Sequence, residues 1–164
     1  MIELILLDVD GTLSDGKIYY NDVGEEIKVF DVKDGLGLRV WKKLGKKSAI
    51  ITGRKSLIVE KRAKELEVDE IFMGVENKAE VVSILQEKYS LSQEQIACIG
   101  DDCNDLPMFK KSGLKFAPSN AVKEIKERAD ILLDKNGGDG AVRAMIEYLM
   151  REEGLEGKWI EIFT

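Results

Sequence analysis

The sequence predicts an α/β fold: a doubly wound, Rossmann-like parallel sheet with a β-hairpin after the first strand. Short apolar segments alternate with amphipathic segments of helical length, which is typical of stacked βαβ units. The segment 5–12 is an apolar run that ends in two carboxylates, Asp8 and Asp10, followed by a glycine. A buried strand with this ending places its acids in the crevice at the carboxyl edge of the sheet, where such folds bind ligands.

Six apolar segments are predicted to form the strands: residues 2–7, 47–51, 70–73, 95–99, 114–116 and 131–133. Six amphipathic segments are predicted to form the helices that connect and cover them: residues 34–44, 55–67, 77–89, 105–111, 121–129 and 140–151. Asp34 is a candidate cap for the start of the first helix, and Gly45 for its end. Ser119 or Asn120 is expected to cap the fifth helix.

Residues 16–31 interrupt this alternation between the first strand and the first helix. Lys17–Tyr20 and Glu26–Phe30 alternate in polarity around Asn21–Gly24, a pattern that predicts a β-hairpin. Because the hairpin follows the acidic strand end, we expect it to form a flap over the crevice, with packing on the sheet edge as the alternative. Both of its faces carry bulky apolar residues that an isolated hairpin cannot bury, so we expect neighbouring subunits to cover it.

The length of 164 residues fits one domain, predicted at residues 1–153, followed by a C-terminal tail at 154–164. The tail carries Trp159, Ile160 and Phe163. Apolar residues so late in a chain are expected to dock, either on this subunit or on the next.

Composition argues against several classes of function. The net charge of −6 leaves no basic stripe for a phosphate backbone, so nucleic acid is not expected as a partner. The chain has no histidine, which excludes a Ser-His-Asp triad and any histidine-ligated metal site. No apolar run approaches membrane-spanning length, so no membrane partner is expected. The two cysteines are expected to be reduced, in a cytoplasmic protein.

Further polar residues follow the later strands of the predicted sheet. Thr52, Gly53 and Arg54 close the second strand, and Lys78 opens the helix after the third. An acidic cluster closes the fourth strand; its members are Asp101, Asp102 and Asp105. Each motif alone is compatible with an ordinary turn or a solvated side chain. Because the carboxyl ends of parallel strands meet at one edge of a doubly wound sheet, we expect these residues to lie beside the two aspartates of the first strand.

Together these residue types suit phosphoryl transfer. An Asp8 carboxylate can attack phosphorus if Mg²⁺ neutralises the phosphate oxygens and Lys78, Thr52 and backbone N–H groups hold them. Asp10 can protonate the leaving alkoxide and later deprotonate the water that splits the aspartyl phosphate. Hard oxygen ligands, without imidazole or a set of thiolates, favour Mg²⁺ over zinc.

Four segments resemble, in order along the chain, the four motifs of the haloacid dehalogenase superfamily of phosphohydrolases: Asp8-Val9-Asp10-Gly11-Thr12, Thr52, Lys78, and Gly100-Asp101-Asp102 with Asp105. The resemblance implies that Asp8 is the nucleophile and Asp10 the general acid/base, while Thr52 and Lys78 hold the phosphate. It also implies a Mg²⁺ site with supporting acids: the ligands are Asp8, the Asp10 backbone carbonyl and Asp101, and Asp102 and Asp105 support them.

A narrower resemblance, over nearly the whole chain, is to the 3-deoxy-D-manno-octulosonate 8-phosphate phosphatases. It rests on the hairpin, on the lack of a large cap domain, and on residues 51–55, 100–107 and 137–143. It implies a phosphorylated eight-carbon sugar acid as substrate, in lipopolysaccharide precursor synthesis, and a homotetramer in which the flap and the tail help to close each site. It also implies a set of substrate-binding residues: Thr52, Gly53, Arg54, Arg62 and Lys78.

Two parts of this narrower resemblance have alternative interpretations. Arg62 is expected to share a helix face with Arg54, or else to be a solvated helix arginine. The Gly137-Gly138 loop either lets a tail or a substrate approach closely or forms a simple turn.

Alternatives from other classes stay open. Phosphatases of acylneuraminate 9-phosphate share many of these features. A non-catalytic accessory domain of a sugar-nucleotide enzyme would keep the fold, although the intact acidic and lysine motifs argue against it. A phosphotransferase or phosphomutase shares the aspartyl intermediate but must exclude water, for which the chain lacks a full cap. A response-regulator receiver also combines clustered aspartates, Thr, Lys and Mg²⁺ on a doubly wound sheet. In a receiver the acid pair is followed by a separate phospho-accepting aspartate before the Thr and Lys, whereas the order here is acids, Thr, Lys, acids, which argues against a receiver.

Overall fold

The computed structural model, which describes residues 1–164, contains eight strands. In chain order they are β1 (Leu4–Leu7), β2 (Tyr19–Tyr20), β3 (Glu26–Ile27), β4 (Lys47–Thr52), β5 (Glu70–Met73), β6 (Ile96–Ile99), β7 (Leu114–Ala117) and β8 (Ile131–Leu132). Six of them form one parallel sheet in the order β5-β4-β1-β6-β7-β8, while β2 and β3 pair as a separate hairpin. The chain proceeds outward in both directions from β1. This confirms the predicted doubly wound fold and places the crevice at the carboxyl end of β1.

Seven α-helices cover the sheet: α1 (Val32–Lys43), α2 (Leu57–Glu65), α3 (Lys78–Tyr89), α4 (Leu106–Lys111), α5 (Lys123–Lys126), α6 (Ala141–Glu152) and α7 (Glu156–Glu161). The helices α1, α2 and α6 pack on one face, and α3, α4 and α5 pack on the other. Strand β1 is covered on both faces because Ile5 and Leu7 point into the first layer, whereas Leu4 and Leu6 point into the second. None of the helices combines the length and the apolar character needed to cross a lipid bilayer.

Helix α1 begins earlier than predicted because Asp31, and not Asp34, caps it. The Asp31 side chain accepts a hydrogen bond from the backbone N–H of Lys33 at 2.6 Å. Asp34 is buried instead, and it accepts a hydrogen bond at 2.8 Å from the backbone N–H of Arg143, in the first turn of α6. Burial raises the pKa of Asp34 to about 6. Asp34 therefore joins the start of α1 to the start of α6.

The predicted cap of the fifth helix was wrong. Helix α5 begins after Val122 and has no side-chain cap. Asn120 Oδ1 accepts a hydrogen bond at 3.0 Å from the backbone N–H of Gly137, and the Ser119 hydroxyl bonds to Asn136. Both side chains are used to tie the loop after β7 to the loop after β8, so neither is free to cap the short helix.

The hairpin has the predicted position, although its paired strands are only two residues long. Asn21 shapes the turn, since its Oδ1 accepts hydrogen bonds from the backbone N–H groups of Val23 at 3.1 Å and Glu25 at 2.8 Å. Gly24 completes the turn with φ of 82°. Several apolar side chains of the hairpin stay exposed: Ile18, Tyr20, Val23, Ile27 and Val29. A single copy of the chain therefore leaves part of the hairpin uncovered.

Residues 154–164 fold back on their own chain and include α7, a helix that the sequence analysis did not predict. Trp159 stacks on the guanidinium of Arg143, whose Cζ lies 3.6 Å from the ring centroid. Leu155 and Ile162 pack against the hydrophobic core beneath α1 and α6. Of the two docking places expected for this segment, the structure shows the one on its own subunit.

Candidate active site

The carboxyl ends of β1 and β6 and the start of α3 bring three charged side chains into one buried cluster. Lys78 is the first residue of α3, which Asn77 caps. Its Nζ lies 2.6 Å from Asp8 Oδ1 and 2.5 Å from Asp105 Oδ1, and its side chain is 1% exposed. An ammonium group buried this deeply is stable only when carboxylates pair with it. The predicted nucleophile and the predicted phosphate-holding lysine are therefore in direct contact.

Asp105 organises the turn after β6. Its Oδ2 accepts hydrogen bonds from the backbone N–H groups of Asp101 at 2.9 Å and Asp102 at 3.4 Å. A glycine is needed at position 100, since a Cβ on Gly100 would lie 2.3 Å from Asp105 Oδ2. Asp102 is exposed, and its carboxylate accepts a hydrogen bond at 2.7 Å from the backbone N–H of Cys103, at the start of a short 3-10 helix. Both Asp102 and Asp105 thus stabilise the turn that carries Asp101.

Three carboxylates crowd this point of the crevice. One oxygen each of Asp8, Asp101 and Asp105 lie within 4.8 Å of one another. Burial, together with the neighbouring Asp105 carboxylate, raises the pKa of Asp8 well above its ordinary value. Burial, with Asp105 and Asp102, raises the pKa of Asp101 to about 6. The Lys78 ammonium alone does not balance this negative charge, so a bound cation would be stabilised here.

The donor set fits a hard divalent cation. Both oxygens of Asp105 are engaged, one by Lys78 and the other by backbone N–H groups. Asp8 and Asp101 are therefore the acids left to bind an ion, and every donor at this point is an oxygen. Carboxylate and carbonyl oxygens are the ligands that Mg²⁺ prefers.

A tight turn follows Asp8 and crosses the floor of the crevice. Gly11 lies in this turn with φ of 100°, and a Cβ on it would lie 2.0 Å from Asp101 Oδ2. Gly137 packs on the turn from the opposite side, where a Cβ would lie 1.7 Å from the Gly11 carbonyl oxygen. The backbone N–H of Gly138 donates to the carbonyl of Thr12 at 3.0 Å. The Gly137-Gly138 loop therefore allows this turn to approach closely.

The hairpin closes over Asp10 from within the same chain. Lys28 Nζ lies 2.5 Å from Asp10 Oδ1 and 3.2 Å from Glu26 Oε1. Arg54 lies on the other side of this pair, with Nη2 at 2.8 Å from Glu26 Oε1 and Nη1 at 3.9 Å from Asp10 Oδ1. The hairpin is therefore a flap over the crevice, as the sequence predicted, and it contacts the predicted acid/base residue.

Lys28 and Glu26 are candidate functional residues that the sequence analysis missed. They lie two residues apart, so an extended backbone points both toward the same side of the hairpin. The signal available was their alternation with two apolar residues, Ile27 and Val29, that point the other way. That pattern separates a polar, inward face of the flap from its apolar, outward face.

Thr52 and Gly53 lie at the carboxyl end of β4, next to this network. Thr52 is buried, and its Oγ1 accepts a hydrogen bond from the backbone N–H of Arg54 at 3.4 Å. Gly53 is exposed, and a Cβ on it would touch only the carbonyl oxygen of Val75, at 3.6 Å. The strand end is therefore open on the crevice side, where a ligand can approach its backbone.

Arg62 forms no hydrogen bond or ion pair with the other predicted site residues. Its guanidinium carbon is 5.9 Å from the centroid of the Phe30 ring, and its Nη1 is 3.5 Å from Glu65 Oε2. A Cβ on Gly35 of α1 would lie 2.6 Å from Arg62 Nη2. Within one chain, Arg62 therefore packs between α2, α1 and the base of the flap, and it does not contact Arg54.

Comparison with known proteins gives concordant results. A family model described as haloacid dehalogenase-like hydrolase matches residues 70–145. The 3-deoxy-D-manno-octulosonate 8-phosphate phosphatase KdsC of Escherichia coli (strain K12) is 42% identical over 153 residues, which cover 93% of this chain and 81% of the relative.

Solved structures agree with this match. The phosphatase of the same name from Moraxella catarrhalis, in complex with a magnesium ion, a phosphate ion and a KDO molecule, superposes with a TM-score of 0.95 at 39% identity and covers 99% of this chain and 94% of its own. The cobalt-bound deoxy-D-mannose-octulosonate 8-phosphate phosphatase from Haemophilus influenzae superposes with a TM-score of 0.90 at 35% identity, covering 94% and 91%. The chain belongs to the 3-deoxy-D-manno-octulosonate 8-phosphate phosphatase family of haloacid dehalogenase-like hydrolases.

Proposed function

We propose that this chain is a Mg²⁺-dependent phosphomonoesterase that acts on 3-deoxy-D-manno-octulosonate 8-phosphate in lipopolysaccharide precursor synthesis. The products are the free sugar acid and phosphate. The observation that carries the chemistry is the buried cluster in which Lys78 pairs with Asp8 beside Asp101. The names of the relatives, and the KDO and phosphate bound in the Moraxella structure, support the substrate.

The proposed reaction has two steps, which Asp8 and Asp10 share. An Asp8 carboxylate oxygen bonds to phosphorus, the bond from phosphorus to the sugar oxygen breaks, and Asp10 gives that oxygen a proton. Water then attacks the phosphorus of the aspartyl phosphate and gives a proton to Asp10, and phosphate leaves as the Asp8 carboxylate is regenerated. The burial supports this division, since the Asp8 side chain is 5% exposed at the floor of the crevice and the Asp10 side chain is 26% exposed beneath the flap.

Lys78 and Thr52 are proposed to hold the phosphate oxygens. Lys78 already contacts Asp8 at 2.6 Å, so a phosphorus atom attacked by Asp8 would bring its oxygens within reach of the ammonium. Gly53 and Arg54 border the flap side of the crevice, and there we propose that they bind the sugar acid. Arg62 is also proposed to bind the substrate, at the base of the flap, where its guanidinium faces Phe30.

Mg²⁺ is proposed to be held by Asp8, the backbone carbonyl of Asp10 and Asp101, with Asp102 and Asp105 supporting the turn. The raised pKa values of Asp8 and Asp101 support this, because burial and the neighbouring carboxylates disfavour their ionised forms, which a bound cation would stabilise. When bound, the ion supplies positive charge that reduces repulsion between the phosphate oxygens and an attacking carboxylate.

The test is phosphate release from 3-deoxy-D-manno-octulosonate 8-phosphate with and without Mg²⁺, beside acylneuraminate 9-phosphate and simple sugar phosphates. We expect Mg²⁺-dependent release with a strong preference for the eight-carbon acid. Equal, slow phosphate release from every ester would confirm the phosphatase activity and contradict the proposed preference for the eight-carbon sugar acid. No phosphate release from any ester would contradict the proposed phosphatase activity and favour the interpretation as a non-catalytic accessory domain.

We also propose that the chain forms a homotetramer in the cytoplasm, with the flap and the tail at subunit contacts. The exposed apolar residues of the flap support the assembly, and so do two exposed residues of the tail, Ile160 and Phe163. Both cysteines are free, which supports a reducing compartment. Light scattering of the full chain is expected to give four times the mass of one chain, and a monomer would contradict the assembly.

A further inference from the structure

The flap sends one charged side chain deep into the site. The Lys28 side chain is 1% exposed, whereas the neighbouring residues Ile27 and Val29 are exposed. A two-stranded hairpin does not bury an ammonium group by its own packing. Lys28 is buried because its Nζ meets Asp10 Oδ1 at 2.5 Å, with Glu26 Oε1 at 3.2 Å.

The ion pair with Lys28 is the main interaction of the Asp10 side chain. Arg54 is farther away, at 3.9 Å, and Lys28 is the only residue that donates a hydrogen bond to the Asp10 carboxylate. The backbone at Asp10 is not helical, with φ of −79° and ψ of 103°, so no regular helix packing orients the side chain. The direction of the carboxylate therefore depends on the flap.

We infer that Lys28 is a positioning residue for Asp10, so that closing the flap also orients the acid/base group; this rests on the proposed function. Asp8 lies at the floor of the crevice, and an in-line displacement drives the leaving oxygen away from it, toward the flap. Lys28 holds the Asp10 carboxylate on that side. An acid held in this way can reach the leaving oxygen, whereas a misplacement of about 1 Å costs on the order of 100-fold in rate.

The test compares Lys28→Met with Lys28→Arg and with Lys17→Met, which alters an exposed lysine on the same hairpin. The substrates are phenyl phosphate, p-nitrophenyl phosphate and 3-deoxy-D-manno-octulosonate 8-phosphate, with saturating Mg²⁺. The two aryl esters carry no carboxylate and have nearly the same shape. They differ in the need for an acid, since phenoxide is the poorer leaving group. The kcat/KM values report the first step, in which the leaving oxygen takes its proton.

We expect Lys28→Met to lower kcat/KM for phenyl phosphate by about 100-fold and for p-nitrophenyl phosphate by about 10-fold or less. Lys28→Arg should recover part of the loss, and Lys17→Met should match the wild type. An equal loss on both aryl esters would indicate a merely structural role and overturn the inference. A loss confined to KM for the sugar acid would overturn it as well, because Lys28 would then contact the substrate. Unchanged kinetics in Lys28→Met would also overturn it. If the wild type hydrolyses none of the three esters, the proposed function fails first, and this inference fails with it.

Discussion

Asp8→Asn is expected to lower phosphate release by about 10⁴-fold or more and to leave the fold intact. The amide is nearly the same size as the carboxylate, but it cannot form the aspartyl phosphate. Asp8 is buried at the end of β1 and contacts Lys78 at 2.6 Å, so the substitution changes the reacting atom without creating a cavity. The measurement is single-turnover phosphate release with saturating Mg²⁺.

The stability of this variant gives an independent check. Burial and the Asp105 carboxylate raise the pKa of Asp8, which means that the ionised form is disfavoured in the folded state. In the absence of metal, a group with a raised pKa stabilises the folded protein below its unfolded pKa, and this contribution is lost as the pH rises through the folded pKa. Asp8→Asn removes the charge, so at neutral pH the metal-free variant should unfold at the same temperature as the wild type or higher.

The matched control is Asp134→Asn, which makes the same change at an exposed position after β8. It should leave both the rate and the unfolding temperature unchanged. Full activity in Asp8→Asn would contradict the nucleophile. A large loss of stability in Asp8→Asn would contradict the electrostatic description of the cluster, because the substitution removes a charge that burial disfavours. The loss of rate would then follow from unfolding and not from the missing nucleophile.

The sequence predicts most of this fold because most strands of the sheet are largely apolar segments that alternate with amphipathic helices. Strand β1 shows this directly, since all four of its residues, Leu4–Leu7, are buried. The contact between Asp8 and Lys78 is also predictable from the sheet topology. Both residues lie at the carboxyl edge that all the parallel strands share. Motif residues at strand ends are therefore predictable once the topology is known.

Contacts between distant loops were not predictable in the same way. Asp34 has the residue type and position of a helix cap, and only the packing of α1 against α6 turns it toward Arg143. Lys28 has the sequence context of an exposed hairpin lysine, and only the closure of the flap brings it to Asp10. Helix α7 is missed because its six residues are too few to show a clear period and depend on Trp159 docking onto Arg143.

Lys78→Met is expected to destabilise the metal-free protein by about 3 to 5 kcal/mol and to lower turnover by at least about 100-fold. Methionine has nearly the length of lysine, so the change removes the charge and keeps most of the volume. Asp8 and Asp105 then lose the ammonium that lies within 2.6 Å of both. The result is two buried carboxylates with no cation between them, which costs far more than the loss of a surface ion pair.

The pH dependence of this loss shows whether charge is its cause. Although burial opposes its charge, Asp8 and Asp105 together raise the pKa of Lys78, so its contribution is present at neutral pH and is lost only at high pH. In the variant the unpaired acids are protonated as the pH falls, and the pKa of Asp101 is already about 6 in the wild type. The difference in unfolding free energy between wild type and variant should therefore shrink between about pH 8 and about pH 5.

Urea denaturation across this pH range measures the difference, and Lys88→Met provides the control. Lys88 pairs with Glu70 on the surface, where its side chain is 53% exposed, so its loss should cost at most about 1 kcal/mol. A difference in unfolding free energy for Lys78→Met that stays constant with pH would assign the loss to packing and contradict the ion-pair account.

Added Mg²⁺ should restore part of the stability of Lys78→Met. A cation bound by Asp8 and Asp101 would neutralise part of the acidic cluster that Lys78 no longer pairs. A variant as stable as the wild type without metal would show that Asp8, Asp101 and Asp105 do not carry the uncompensated negative charge on which the proposed metal site depends.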